Sequence, residues 1–272
     1  MDISDYYSKS FDGFRENLII MVPQLVGFVL FFLIGFIGAL LFILGLGPSL
    51  FAGQADPNNL ASIFTLTNIV IFGVIGLFLF ILIGLISSFL GAATIGMAKK
   101  IIETGRSNLE TAMEYGKKYF IRVFLVNVII YVLVILLAIP AIIGFVLLSL
   151  NSNMAFAVLI IGGLIFILAG IFLALALAVV NQSIVVGSKS VIESIKDSFN
   201  VFWSNKLKVF VVSIINFVIS FAIGMILGLI PYIGSFLTGI VNIALVPYFI
   251  LVLTYLYMDL KDMIPEKAEY GY

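Results

Sequence analysis

The sequence predicts an all-α integral membrane protein with six transmembrane helices, arranged as three parallel repeats of an interfacial amphipathic helix plus a transmembrane hairpin. Three observations predict it. Of 272 residues, 63% are hydrophobic and 10% charged, against roughly 25% charged residues in a soluble domain, so a water-soluble core could not be covered. Charge falls in four blocks, 2–16, 99–122, 189–208 and 259–269, and the intervening stretches 17–98, 123–188 and 209–258 hold a single charged residue, Asp56. Each stretch must cross a hydrocarbon layer of about 30 Å, which takes ~20 apolar helical residues per span. The third observation is a likeness among the charged blocks.

From the N-terminus, the first block includes Asp2, Asp5, Asp12 and Glu16, and no small-residue site ends a short apolar core, so no cleaved signal peptide is expected. Spans follow at 18–46 and 62–98, joined by the polar segment 53–59. The next pair, 123–148 and 155–182, is joined at 149–153. The last pair, 208–229 and 234–258, is joined at the turn Ile230-Pro231-Tyr232-Ile233-Gly234-Ser235. All 14 Lys and Arg then lie on one side, which the positive-inside rule makes the cytoplasm. Both termini are expected there, with the chain integral to the cell membrane of a bacterium or archaeon. A seventh span within 62–98 would send the six basic residues of 99–122 outside, so one tilted or protruding helix is expected instead. The expected organisation is one membrane domain, 1–258, with repeats of approximately 1–98, 99–188 and 189–258, and a short cytoplasmic tail, 259–272.

The repeat rests on the starts of the charged blocks. Ser107-x-x-Glu110 and Ser190-x-x-Glu193 read as capping boxes, in which hydroxyl and carboxylate each take a free backbone N–H at a helix start, and Asp2-x-x-Asp5 is a looser form. Aligned on these, Phe14, Tyr119 and Phe202 coincide, as do Asn17, Arg122 and Asn205; Gly105 and Gly187 precede two of the starts. Beyond the caps, apolar residues recur at helical spacing: Ile3, Tyr7, Phe11, Phe14 and Leu18; Leu109, Ala112, Met113 and Phe120; Val191, Ile195, Phe199, Phe202 and Trp203. Such helices, next to a span and beside basic residues, belong in the membrane interface. Two spans per unit keep successive units in one orientation, hence parallel repeats.

Chemistry is constrained by what is missing. The chain has no Cys and no His, which removes disulfides, thiolate nucleophiles, imidazole bases and His-ligated metals. Neither a Walker loop nor a dinucleotide fingerprint is present, so no catalytic residue, metal or cofactor is expected, and no nucleic-acid partner. No ionisable residue lies within the spans, which disfavours proton-coupled transport. The polar residues inside are Gln24, Asn68, Asn127, Asn181, Gln182, Asn216 and Asn242, with several serines. Their ordinary role is interhelical hydrogen bonding, and their functional one a polar path for a neutral solute or lipid headgroup. Gln24, Asn127, Asn181, Gln182 and Asn216 are the intramembrane candidates. Small residues repeat at every fourth position in Gly84, Ser88, Ala92 and Gly96, in Gly170, Ala174 and Ala178, and in Gly224 and Gly228, which reads as helix-packing seams.

At the membrane interface the candidates are Phe14, Lys117, Lys118, Tyr119, Arg122, Phe202, Trp203, Lys206 and Lys208. Basic residues interleaved with aromatics set topology and form an aromatic belt, and they attract anionic lipid heads.

One longer pattern carries a resemblance. Gly187-Ser188-Lys189-Ser190 through Ser198-Phe199-Asn200-Val201-Phe202-Trp203, then Ile230-Pro231-Tyr232-Ile233-Gly234, then Pro247 and Leu256-Tyr257-Met258-Asp259-Leu260, resembles the membrane domain attached to some glycerophosphoryl diester phosphodiesterases and its stand-alone bacterial and archaeal relatives. The resemblance implies a six-span-like membrane module without phosphodiesterase activity, which in that family belongs to a separate soluble barrel with catalytic His. The expected function is a non-enzymatic module that organises membrane lipids or a protein partner, with homo-oligomerisation open. The alternative is a transporter or channel for a neutral or amphiphilic substrate. A lipid enzyme built on Glu103, Glu110, Glu114, Glu193 and Asp197 stands third.

Overall fold

The computed structural model describes residues 1–51, 66–150 and 154–265, with side chains described outside 42–51 and 66–69. The described residues are helical and contain no strand: α1 (Ile3–Glu16), a 3-10 turn (Leu18–Met21), α2 (Val22–Phe51), α3 (Leu66–Thr104), α4 (Leu109–Ser149), α5 (Ala155–Ala176), α6 (Val180–Val185), α7 (Val191–Ser204), α8 (Lys206–Gly228) and α9 (Gly234–Asp259). Six helical stretches are long and apolar enough to cross a membrane: Leu18–Leu41, Val70–Thr104, Leu109–Ser149, Ala155–Val185, Lys206–Gly228 and Gly234–Asp259. They overlap the six spans expected from the three nearly uncharged stretches, and the protein is membrane-embedded. The tip at 53–59 and most of that at 149–153 lie outside the described residues. The third tip turns at Tyr232, with φ 65°.

The expected long second helix is α3, 39 residues or about 58 Å at 1.5 Å per residue. Its last turns, Lys99–Thr104, extend past the apolar run.

Burial is concentrated at the charge-bearing end. Ala92, Met97, Ile101 and Ile102 of α3, Val123 and Val126 of α4, Ile184 of α6 and Leu251, Leu256 and Met258 of α9 form one core. By contrast, the most apolar window of α3 has none of its residues buried. That distribution suits lipid, where Leu and Phe gain nothing by leaving the solvent and helices meet through small residues instead. A Cβ on Gly96 would stand 2.2 Å from Tyr115 and one on Gly84 2.9 Å from Phe124, so the small-residue face of α3 receives α4 as expected. Between α4 and α5 the approach is backbone to backbone in both directions: a Cβ on Gly144 would lie 2.5 Å from the Leu159 backbone, and one on Gly162 2.6 Å from that of Pro140. The α5 seam behaves differently, because a Cβ on Gly170 would meet nothing within 4 Å.

Three sequence expectations are corrected. The cap of α4 is Asn108, whose side chain accepts from the Thr111 N–H at 2.9 Å, and not Ser107. The segment 109–122 is not a separate helix, since α4 runs unbroken from Leu109 to Ser149. Counting from Asn108 instead of Ser107, the residue that matches Asn17 and Asn205 is Val123, not Arg122, and the match to Phe14 and Phe202 is Phe120, not Tyr119. Asn17 and Asn205 leave helical geometry, with φ −127° ψ 55° and φ −132° ψ 42°, and end α1 and α7. An Asn side chain competes for backbone groups and ends a helix, whereas Val has no such alternative and the helix continues. With this register burial recurs at matched positions: Tyr6, Ala112 and Ser194; Ser10, Gly116 and Ser198; Gly13, Tyr119 and Val201.

The fourth span breaks at 177–179, between α5 and α6. No Pro or Gly marks the site in the sequence. The carbonyl of Ala176 left at the break accepts a 2.9 Å hydrogen bond from the Ser198 hydroxyl of α7, so packing of α7 supplies a partner that the helix gives up.

Candidate functional site

The charge-bearing end is assembled from α1, α7, the start of α4 and the ends of α3, α6 and α9. On α7 the residues fall on three faces. Ser194, Asp197, Ser198, Val201 and Phe202 are buried against the bundle; Ile192, Phe199 and Trp203 are exposed and apolar; Glu193, Lys196, Asn200 and Ser204 are exposed and polar. At 100° per residue these are separate arcs of the helix. α1 divides alike: Tyr6, Ser10 and Gly13 inward, exposed Phe11 with half-buried Tyr7 on an apolar arc, and Ser8, Asp12 and Glu16 on a polar one. An outward apolar arc beside a polar arc is what a helix lying at a lipid–water boundary presents.

The inward face of α7 is polar because it carries an ionic hub. Asp197, 6% exposed, receives Lys189 at 2.5 Å and Lys261 at 2.7 Å. It also accepts hydrogen bonds from the Ser183 hydroxyl at 2.7 Å and the Tyr257 hydroxyl at 2.9 Å. Burial acts to raise its pKa, but the two ammonium groups and two hydroxyls outweigh it and hold the carboxyl well below the usual carboxylate range. One side chain thereby ties α7 to α6, α9 and the segment after α9. At its start, Ser190 and Glu193 form the expected capping box, and the Ser190 hydroxyl and N–H depress the Glu193 pKa.

α1 is anchored by a second carboxylate. Asp259, at the end of α9, accepts from the Tyr6 hydroxyl at 2.5 Å and pairs with Lys208 at 3.5 Å and the N-terminal ammonium at 3.2 Å. Desolvation, then the hydrogen bond to Asp259, raises the Tyr6 pKa, so the phenol stays a donor.

Further contacts link each charged segment to the next. The Asn17 amide donates to Gly105 O at 2.9 Å and accepts from the Ser107 N–H at 3.2 Å. Tyr119 and Ser188 share a 2.7 Å hydroxyl contact, while Arg122 reaches Ser188 O at 3.5 Å. Lys208 donates to Met1 O at 3.2 Å. The backbone at the far ends of α3, α6 and α9 turns through left-handed residues, Gly105 at φ 78°, Ser188 at φ 55° and Asp262 at φ 52°. Ser188 tolerates that conformation with its hydroxyl and carbonyl held by the neighbouring segment.

Of the interface candidates, Lys117, Lys118, Arg122, Trp203 and Lys206 are exposed, and Lys206 stands 4.0 Å over the Trp203 ring. Phe14 is half-buried edge-on to Tyr248. Tyr119 and Phe202 face inward, at 2% and 7% exposure, with Phe202 packed on Phe172. Lys208 is spent on Asp259 and Met1. The intramembrane candidates have separate surroundings. Asn216 accepts from the Tyr7 hydroxyl at 3.0 Å. Asn127 lines a cavity of about 80 Å³ between α3 and α4. Asn181 and the buried Gln182 sit in α6, each with a side-chain oxygen that has no partner among the described residues, and Gln24 is half-buried in α2. Of the anchoring residues, Tyr6, Ser183 and Lys261 are not named by the sequence reading, and Lys189, Tyr257 and Asp259 enter it only within the resemblance pattern. The available signal was the Ser194, Asp197, Ser198 spacing, a polar stripe on the helix face opposite Phe199 and Trp203.

Residues 34–258 match a domain of unknown function, DUF7847. No curated protein and no solved structure matches the chain.

Proposed function

We propose, for a chain that belongs to the DUF7847 family, that it is a non-enzymatic membrane module whose charge-bearing end lies in the cytoplasmic interface and organises lipids or partner proteins there. The observation that carries this reading is the three-arc division of α1 and α7: one arc for the bundle, one for lipid, one for water. The polar arc of α7, Glu193, Lys196, Asn200 and Ser204, is not used in holding the fold together beyond the cap, and so is available to a partner.

Three parallel repeats form the scaffold in this reading. Supporting it are the matched burial at three positions beyond each cap and the left-handed residue after each of α3, α6 and α9. The links from Asn17 to the 105–107 loop, from Tyr119 to Ser188 and from Lys208 to Met1 follow the same order and return to the start. A single fixed orientation for all three units follows from two spans per unit.

The test leaves the anchors alone. With Lys196→Gln and Asn200→Ala combined and both Glu193 of the cap and Asp197 retained, enrichment of anionic lipid around the reconstituted protein or recovery of cross-linked neighbours should fall while the melting temperature in detergent holds. Association unchanged from wild type would contradict the reading. The transport alternative draws on one observation, the broken fourth span with the unpartnered oxygen of buried Gln182; solute uptake by proteoliposomes that Gln182→Leu abolishes would favour it.

A further inference from the structure

The helices α5 and α8 barely touch, and a groove of about 390 Å³ runs between them, lined by Gly170, Ala174 and Leu175 on one side and Phe210, Ser213 and Phe217 on the other. We propose that this groove binds an anionic phospholipid, with an acyl chain between the two helices and the phosphate at Lys206. The proposal rests on the reading of α7 as an interfacial helix and names the ligand at its edge.

Four features argue for that occupant. The groove lies within the spanning parts of both helices, where the surrounding medium is hydrocarbon. Its small-residue wall is open at Gly170, where a Cβ would meet nothing within 4 Å among the described residues. Half-buried Ser213 lines the groove wall, and its hydroxyl has no partner among the described residues. Hydroxyls on other helices, Thr94, Thr238 and Thr254, bond the carbonyl four residues back, so Ser213 has left the usual local acceptor and is a donor suited to a lipid ester carbonyl. Finally, Phe172 of α5 is edge-on to Phe199 and Phe202, Phe199 stacks on Trp203, and Lys206 sits over Trp203. Lys206 pairs with no carboxylate among the described residues. It precedes Ser213 by seven positions, about 10 Å along the axis, which sets the phosphate above the ester and the ester above the chain.

Trp203 is the only Trp in the chain and reports on the site directly. The full-length protein is reconstituted in phosphatidylcholine vesicles containing a small fraction of either phosphatidylglycerol or phosphatidylcholine brominated in the upper acyl chain, and Trp203 quenching is measured. Quenching by the brominated phosphatidylglycerol should exceed random mixing and saturate, with a preference of about fivefold over phosphatidylcholine, the equivalent of one basic contact worth about 1 kcal/mol. Gly170→Leu, which fills open space, should abolish the excess without shifting the melting temperature. Lys206→Gln should remove the headgroup preference and keep quenching by the chain. Quenching that only tracks mole fraction, or an excess that survives Gly170→Leu, overturns the groove while leaving the interfacial reading of α7 standing. A dimer that Gly170→Leu dissolves, with no lipid excess, assigns the groove to a second copy of the chain and overturns it too. No quenching by any brominated lipid removes both readings together.

Discussion

α1 and α7 are short helices cut from the spans that follow them, whereas residues 109–122 occupy the matching position as the first turns of an unbroken 41-residue helix. Fifteen positions after the cap, where α1 and α7 end, the first two segments have Asn17 and Asn205 and the third has Val123. The contrast is visible in how each segment is held. The cut helices need polar anchors: Asp197 fixes α7 through two lysines and two hydroxyls, and Asp259 fixes α1 through Tyr6. The continuous segment buries Ala112, Gly116 and Tyr119 instead and takes its direction from the span. A helix joined through a break is free to swing unless side chains hold it, and charge-assisted contacts in a buried setting hold strongly.

The largest expected effect tests that contrast. Asp197→Ala leaves two lysines and two hydroxyls without their acceptor and should cost about 3 kcal/mol or more, read as a fall in melting temperature in detergent. Amide exchange should quicken over 191–204 and stay slow over 109–122; equal acceleration of both would break the comparison. The pH dependence has a definite sign. Because the Asp197 pKa is depressed in the folded protein, its contribution is fully present above the unfolded carboxylate value of about 3.9 and is lost as pH falls through the lower folded value. Stability of the wild type relative to Asp197→Asn should therefore be constant from neutral to mildly acidic pH and narrow only in strong acid.

Next comes the α4–α5 contact that supports the continuous helix. Gly144→Val forces a side chain into the Leu159 backbone and should cost about 1–3 kcal/mol. Gly163→Val, whose Cβ meets nothing within 4 Å, should melt within error of wild type. Breaking the comparison at its hinge, Val123→Asn buries an unpaired amide at about 1–3 kcal/mol and should raise exchange over 109–122 toward that of α7, while Asn17→Val loses the contacts to Gly105 and Ser107 for about 1–2 kcal/mol. The smallest effect separates the two candidate caps: Asn108→Ala should cost ~1 kcal/mol and Ser107→Ala much less, in the same melting assay.

The six long helices were legible because hydrocarbon cannot solvate charge or free backbone, so 17–98, 123–188 and 209–258 had few ways to be built. The caps at Asp2 and Ser190 were legible for a similar local reason. At the second block, Ser107 and Asn108 are both good caps and adjacent, and the loop after Gly105 is one residue longer than that after Ser188, so residue type alone put the register one position off. Spacing also could not distinguish the small-residue face of α3, which meets Phe124 and Tyr115, from that of α5, which meets nothing at Gly170; the outcome depends on which helix arrives. The polar inner face of α7 was hidden because an acidic residue on an amphipathic helix is ordinarily solvated, and only the arrival of Lys189, Lys261, Ser183 and Tyr257 from other elements makes Asp197 a core residue. The break at 177–179 carries no sequence punctuation, and its freed carbonyl is satisfied from α7.

The most direct measurement exploits the absence of native Cys. Single cysteines at exposed Ser8 of α1, exposed Ser204 of α7 and exposed Ser235 at the third tip are labelled with an impermeant maleimide in sealed, right-side-out cells and again after permeabilisation. The account predicts that Ser8→Cys and Ser204→Cys react only once the membrane is opened, and that Ser235→Cys reacts from outside. Labelling of all three from the same compartment would contradict it.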